Sequence, residues 1–143
     1  MIAFTAAQLQ PCLTVGFILA YAQQVLVEKF NVLSFMRHIL PTTAAISHHT
    51  DIVHISPLPE GKHTGTRYVW VHPQIRPWGH QLPVQCPECL CIRPWESTSK
   101  GLVYFFGCQH CNHQMTFSLL PEKYSQLEGA VFGGIWLAVD HLE

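Results

Sequence analysis

Charged side chains are scarce in this 143-residue sequence, and they are unevenly placed. Asp, Glu, Lys and Arg make up 12% of the residues, about half the usual share, and none of them occurs in the first 27 positions. The formal net charge of −1 provides no global attraction to a polyanion. Because the chain is 48% hydrophobic, it is expected to fold, either as one compact domain or as a small domain plus a dependent module.

The uncharged N-terminal stretch could be a membrane span, a signal peptide or a buried helix. Its purest apolar part, Cys12 to Ala22, is about half as long as a bilayer-spanning helix must be. Residues 20–22 imitate a signal cleavage site, but residues 1–11 lack the positive segment of a secretory signal. We therefore predict a helix packed on most sides, with Cys12 buried in it, and an intracellular protein (cytoplasm or nucleus) that does not enter a membrane.

The cysteines give the strongest functional signal. Cys86 and Cys89 form one CxxC pair, Cys108 and Cys111 form a second, and 18 residues separate the pairs. Two thiolates two residues apart on a tight turn can face one cation, and two such turns complete a tetrahedron with no open position. This spacing predicts one structural zinc ion (Zn²⁺) bound by the four thiols. The alternative ligands Cys91, His110 and His113 are not needed, and Cys91 is interpreted as a packing residue.

The residues around these pairs predict a small β-sheet. We expect a strand over Leu90 to Trp95, a hairpin loop over Glu96 to Gly101, a strand over Leu102 to Phe106 and a third over Met115 to Leu119. So small a sheet buries too little apolar area to stay folded alone. Metal binding and local folding are therefore expected to be a single event.

The predicted fold class is α+β: N-terminal helices packed on a few strands, followed by a small β zinc ribbon. Residues 1–83 form a helical and α+β segment, in which Asn31 separates two helices, and strands are expected over Asp51 to Ser56 and Arg67 to His72. Residues 84–120 form the ribbon. Residues 121–143 open with Pro121-Glu122, a helix-start signal, and continue with a stretch that fits either strand or helix.

No complete catalytic constellation is visible, and we predict that the chain is not an enzyme. Four thiolates leave a metal no position for water, and no nucleophile elbow, P-loop or dinucleotide fingerprint occurs. A second cluster, His48, His49, Asp51 and His54, could bind another metal or provide a general base. Since alternate residues of a strand point to opposite faces, His49, Asp51 and His54 cannot share one face of a regular strand.

Two kinds of partner are considered. Nucleic acid would require phosphate contacts from Arg67, Arg76, Arg93 and Lys100, which is a weak cationic footprint. A protein partner would instead cover apolar surface, for which Trp78, Trp95 and Trp136 are candidates. We therefore expect a metal-stabilised protein-interaction module, with nucleic-acid binding as the alternative.

Two resemblances accompany these motifs. Residues 84–120, with their paired CxxC units, resemble the zinc-ribbon superfamily. The run from residue 6 to 28, through 47–56, to 68–89 resembles a group of fungal, chiefly basidiomycete, proteins that place this region after a Rossmann-like, caspase-clan (CHAT-like) segment. This second resemblance implies that the chain is the C-terminal part of such an architecture and a non-catalytic remnant or subunit of a caspase-like hydrolase. The Cys-His dyad of those peptidases would then lie upstream of Met1.

Overall fold

The protein is built from helices and antiparallel sheets. A computed structural model of the chain describes residues 1–119 and 123–142. Within these residues there are three α-helices and eight strands in two sheets, which confirms the predicted α+β class. The helices are α1 (Pro11–Tyr21), α2 (Val32–Ile39) and α3 (Ala44–Ser47). The strands are β1 (Ile2–Phe4), β2 (Ile52–Pro57), β3 (His63–Val71), β4 (Trp95–Lys100), β5 (Val103–Cys108), β6 (Gln114–Ser118), β7 (Tyr124–Val131) and β8 (Gly134–Leu142).

The chain forms two compact units. The first, called here the apolar unit, consists of Met1–Trp70 together with Glu122–Glu143, and the second, called the cysteine unit, is Val71–Pro121. The C-terminal hairpin belongs to the same sheet as the N-terminal strands, so the apolar unit contains both ends of the described chain. The helix start predicted at Pro121-Glu122 lies outside the described residues.

The apolar unit is organised by a five-stranded sheet in the order β1-β2-β3-β8-β7. β2 and β3 pair antiparallel with Ile52 opposite Tyr68, as expected for two segments rich in β-branched and aromatic residues. The predicted strands at 51–56 and 67–72 are thereby confirmed, apart from their ends. The sheet and helices enclose a core of large side chains: Phe17, Phe35, Met36, Leu40, Ile46, Ile52, Tyr68, Trp70, Leu127, Trp136 and Ala138.

Helix α1 starts at Pro11, where proline's fixed φ and missing N–H suit the first turn. It continues into a π-helix, Ala22–Val27, with an i to i+5 bond from Glu28 N–H to the Gln23 carbonyl. The prediction that this helix packs on most sides is wrong, since Thr14 and Phe17 are its buried residues and Leu19 is 63% exposed. The apolar unit covers one side of the helix and leaves the others in solvent.

Helix α2 begins directly after Asn31, where the sequence predicts a break between two helices. The Asn31 side chain accepts hydrogen bonds from the backbone N–H groups of Leu33 (2.9 Å) and Ser34 (3.3 Å), which caps the helix. Phe35 and Met36 on this helix enter the core. Among the described residues, no helix is both long and apolar enough to cross a bilayer.

The cysteine unit contains a three-stranded sheet in the order β4-β5-β6. The predictions for β5 and β6 are confirmed within one or two residues, but the predicted strand over residues 90–95 and loop over 96–101 are wrong. Residues 90–94 remain in irregular structure, with positive φ at Leu90 and Arg93, and the Ser/Thr-containing segment 95–100 forms β4 instead. The turn needs only Gly101 (φ 62°) and Leu102 before β5 begins.

Candidate metal centre

The four cysteines of the paired CxxC units lie on two turns with the same backbone pattern. In the first turn the N–H of Cys86 donates to the carbonyl of Cys91 at 3.0 Å. In the second the N–H of Cys108 donates to the carbonyl of His113 at 2.9 Å, again across five residues. Each turn therefore reverses the chain so that both of its thiols can point to one place, as the spacing predicts.

The thiols meet at distances that suit a metal ion. The Sγ atoms of Cys86, Cys89, Cys108 and Cys111 all lie within 4.8 Å of one another. Across the turns, Cys86 Sγ is 3.6 Å from Cys111 Sγ, and Cys89 Sγ is 3.5 Å from Cys108 Sγ. A tetrahedron with metal–sulfur bonds of about 2.3 Å has edges of about 3.8 Å, close to these separations.

The same distances exclude disulfides between these residues. A disulfide requires two sulfurs about 2.05 Å apart, and all four cysteines are free thiols. Cys86 and Cys108 are buried, while Cys89 and Cys111 are partly exposed. The four residues can therefore hold a metal ion, and four thiolates are enough to complete a tetrahedral coordination shell.

The four thiols influence one another's protonation. Burial raises the pKa of Cys86. Hydrogen bonds from the backbone of Cys89 and Glu88, and from the thiols of Cys111 and Cys89, outweigh burial, so that the pKa of Cys86 is lowered overall. The pKa of Cys111 is raised to about 12, because burial and the three neighbouring thiols outweigh the lowering effect of the His113 backbone. Thiols this close oppose each other's ionisation, and a dication between them would favour the thiolates.

The other candidate ligands stay outside this group. Cys91 supplies its backbone carbonyl to the first turn. His113 lies with Nδ1 4.0 Å from Glu88 Oε1 and with its ring beside Trp95, at a centroid distance of 6.1 Å. Cys12 belongs to the apolar unit and is exposed, so the prediction that it is buried is wrong.

The second predicted cluster does not form a metal-binding group among the described residues. Its members are His48, His49, Asp51 and His54. The His48 ring stacks on Trp70 with centroids 4.4 Å apart, and His49 Nε2 accepts a hydrogen bond from the backbone N–H of Gln10 at 3.0 Å. Both contacts connect the α3 region to neighbouring parts of the apolar unit.

The remaining two members also have local partners. Asp51 is buried and forms an ion pair with Arg67, with Nε and Oδ2 3.1 Å apart. His54 lies 3.4 Å from the Ser56 hydroxyl, and burial, with a further contribution from the N-terminal ammonium, lowers its pKa. The structure thus brings these four residues into separate packing and hydrogen-bonding contacts.

The residues predicted to contact phosphate differ in accessibility. Arg67 is paired with Asp51, and Arg76 is 5% exposed. Arg93 and Lys100 are exposed. Two of the four predicted cations are therefore directed to contacts within the chain.

The tryptophans proposed for a partner surface also differ. Trp136 is completely buried in the core of the apolar unit, so the expectation for this residue is wrong. Trp78 and Trp95 are partly buried, and their indole N–H groups donate to the carbonyls of Leu102 (2.9 Å) and Pro83 (2.7 Å). These hydrogen bonds connect the loop that contains Trp78 and Pro83 to the β4–β5 hairpin of the cysteine unit.

A surface that the sequence prediction missed adjoins the first cysteine turn. We call it the knuckle patch and define it as Val84, Leu90 and Ile92, which are 66%, 67% and 67% exposed. Leu90 has a φ of 59°, in the left-handed region where glycine is favoured. The signal was present in the sequence: a leucine directly follows the second cysteine of the turn, at a position that a tight turn commonly gives to glycine.

Comparisons with known proteins give no further assignment. No protein-family model matches the chain, and neither a curated protein nor a solved structure matches it.

Proposed function

We propose that this chain is a non-catalytic protein-interaction module whose cysteine unit is a zinc ribbon held together by one zinc ion. The observation that supports the proposal is the convergence of the Sγ atoms of Cys86, Cys89, Cys108 and Cys111 within 4.8 Å. Bound there, the ion would cross-link the turn at 86–91 to the turn at 108–113. It would thereby stabilise a sheet that has little apolar core of its own.

Zinc is the ion that this donor set fits best. Four thiolates in a tetrahedral arrangement favour zinc or iron over harder cations such as magnesium and calcium. Reduced CxxC pairs are also typical of proteins in a reducing compartment, which supports an intracellular location. A structural role follows from the chemistry, because four thiolates leave no position at which a metal could activate water.

The knuckle patch supports a protein partner. Three aliphatic side chains two-thirds exposed beside the metal turn gain little from the fold of the chain itself. Leu90 in addition keeps a positive φ, which costs a non-glycine residue about 1 kcal/mol. An apolar protein segment is the partner that exposed aliphatic side chains fit.

The metal assignment is tested by elemental analysis of the purified chain. We expect about one zinc per chain and no visible absorption, whereas bound iron would give a coloured protein. Cys108→Ser is expected to lose the metal. The matched control, Cys91→Ser, is expected to retain it. Full zinc retention in Cys108→Ser would contradict the assignment.

The interaction is tested by affinity capture with the zinc-loaded chain as bait, in the presence and absence of a chelator. Capture of one defined partner should require zinc and should be lost in Leu90→Asp, with Leu58→Asp in the apolar unit as the control. Titration of labelled DNA and RNA at two salt concentrations tests the alternative. Tight binding that falls steeply with salt and disappears in Arg93→Ala would replace the protein partner by nucleic acid.

A further inference from the structure

The exposed side of the N-terminal helix is a second apolar surface, independent of the metal site. The buried side of this helix consists of Thr14 and Phe17, continued by the partly buried Tyr21 and Val25 that pack against the core. A further row of aliphatic residues runs along the part of the helix in solvent, and we call it the α1 face: Val15, Ile18, Leu19, Leu26 and Val27.

The α1 face has the spacing of a contact surface. Val15, Ile18 and Leu19 recur at three- and four-residue intervals, which places them on adjacent turns of one side of α1. The wider turn of the π-helix over Ala22–Val27 extends the row to Leu26. The exposed fractions are 49% for Val15, 44% for Ile18, 63% for Leu19, 56% for Leu26 and 69% for Val27.

The area of this surface suits a weak dimer. The five residues of the face present roughly 450 Å² of exposed surface per copy. Two copies in contact would bury about 900 Å², the size of a weak, concentration-dependent interface. The knuckle patch, with three residues, is much smaller.

The absence of charged side chains in this segment favours a second copy of the chain, rather than an anionic lipid surface, as the partner of the α1 face. Residues 1–27 contain no Asp, Glu, Lys or Arg, so two copies meeting over this face bring no like charges together. A two-fold interface requires a surface that is complementary to itself, and an uncharged aliphatic surface meets that condition. A helix that binds anionic lipid would instead have Lys or Arg on its polar side. At Gly16, which is exposed, a Cβ would meet nothing within 4 Å, so this part of the helix leaves room for a close approach.

We propose that the chain forms a homodimer through the α1 face. This inference does not depend on the metal or on the partner of the cysteine unit. It explains why a helix with exposed Val, Ile and Leu side chains is stable in a protein that has few charges to keep it soluble.

The test is sedimentation of the 143-residue, zinc-loaded chain over a range of concentrations. We expect a concentration-dependent shift from monomer to dimer. Leu19→Glu should raise the dissociation constant at least ten-fold, because each dimer would then bury two unpaired carboxylates. Val15→Glu should have the same effect, and Leu102→Glu, an exposed leucine of the cysteine unit, is the control that should leave the dimer intact. Circular dichroism verifies that each variant is folded.

Several outcomes would overturn the proposal. A chain that stays monomeric up to several hundred micromolar has no such interface. A dimer that survives both Leu19→Glu and Val15→Glu uses another surface. Binding of the wild-type chain to neutral phosphatidylcholine vesicles, lost in Leu19→Glu and without any dimer, would show that lipid covers the face instead.

Discussion

The two units of this chain are stabilised by different means. Of the twelve largest fully buried side chains among the described residues, eleven belong to the apolar unit, Trp70 and Trp136 among them. Phe106 is the single one that belongs to the cysteine unit. The first unit can gain its stability from apolar area removed from water. The second has too little such area, and a metal ion held by its four converging thiols would supply the cross-link that a small sheet requires.

Among the changes that test this difference between the two units, loss of a metal-site thiol should have the largest effect on stability. If metal binding is the main source of the folding free energy of the cysteine unit, as we propose, Cys108→Ser should release the metal and unfold this unit. The apolar unit should remain folded in this variant. Near-ultraviolet circular dichroism and amide hydrogen exchange can follow the two units separately.

The matched controls are Cys12→Ser and Cys91→Ser, which remove thiols outside the metal-binding group. Both proteins should keep their metal and both units. If Cys108→Ser retained a protected cysteine unit, the unit would be stable without chelation and the contrast between the two units would fail.

The next effect concerns the apolar core. Phe35 on α2 is 2% exposed, whereas Leu33 on the same helix is 52% exposed. Phe35→Ala should lower the free energy of unfolding of the apolar unit by about 3–5 kcal/mol, and Leu33→Ala by less than about 1 kcal/mol. Chemical denaturation at constant zinc measures both. Zinc content should stay the same in each variant, and a loss of zinc in Phe35→Ala would show that the two units depend on one another.

A smaller effect is expected from glycines with positive φ. Gly129 has a φ of 91° and lies within the register shift between Gln126 and Ala130 in the β7–β8 pairing. A Cβ at this position would lie 2.9 Å from Pro41 Cβ. Gly101, at the β4–β5 turn, has a φ of 62° with nothing within 4 Å. Gly129→Ala should therefore cost about 2–3 kcal/mol and Gly101→Ala about 1 kcal/mol. Equal losses in thermal unfolding would mean that Pro41 moves aside freely.

The smallest effect should be a gain. Leu90→Gly removes the backbone strain of a leucine at φ 59° and is expected to stabilise the zinc-loaded cysteine unit by about 0.5–1 kcal/mol. The same change should weaken partner capture, because the central side chain of the knuckle patch is gone. A less stable protein that still captures the partner would contradict both parts of the argument.

Local sequence signals predicted the parts of the fold that depend on near neighbours. Short windows of the sequence show the proline at α1, the helix break at Asn31, the strands around Ile52 and Tyr68, and the CxxC turns. The placement of the C-terminal hairpin beside β3 was not, because it depends on pairing between residues far apart in the sequence. The sequence also predicted that α1 is apolar but could not show how much of it the rest of the chain covers.

At the candidate site, the convergence of the four thiols was predictable from spacing alone. Two cysteines with two residues between them on a tight turn direct both thiols to one point, and the sequence contains two such pairs. Its surroundings were less predictable. The polar composition of residues 96–101 predicts a loop, yet pairing with β5 makes residues 95–100 a strand. The aromatic residues near the site were candidates for a surface, but the indole groups of Trp78 and Trp95 bond to backbone carbonyls.

The order of the two units along the sequence has a consequence for folding. Because residues 71–121 interrupt the apolar unit, β3 and β8 become neighbours only after the segment 72–133, which contains 62 residues, has closed into a loop. Closing such a loop from a flexible chain costs about 3 kcal/mol of conformational entropy. A metal-bound cysteine unit would leave fewer of these residues free to move and would therefore lower this entropy cost. Zinc would therefore influence the folding rate and stability of a unit that provides none of its ligands, through chain connectivity alone.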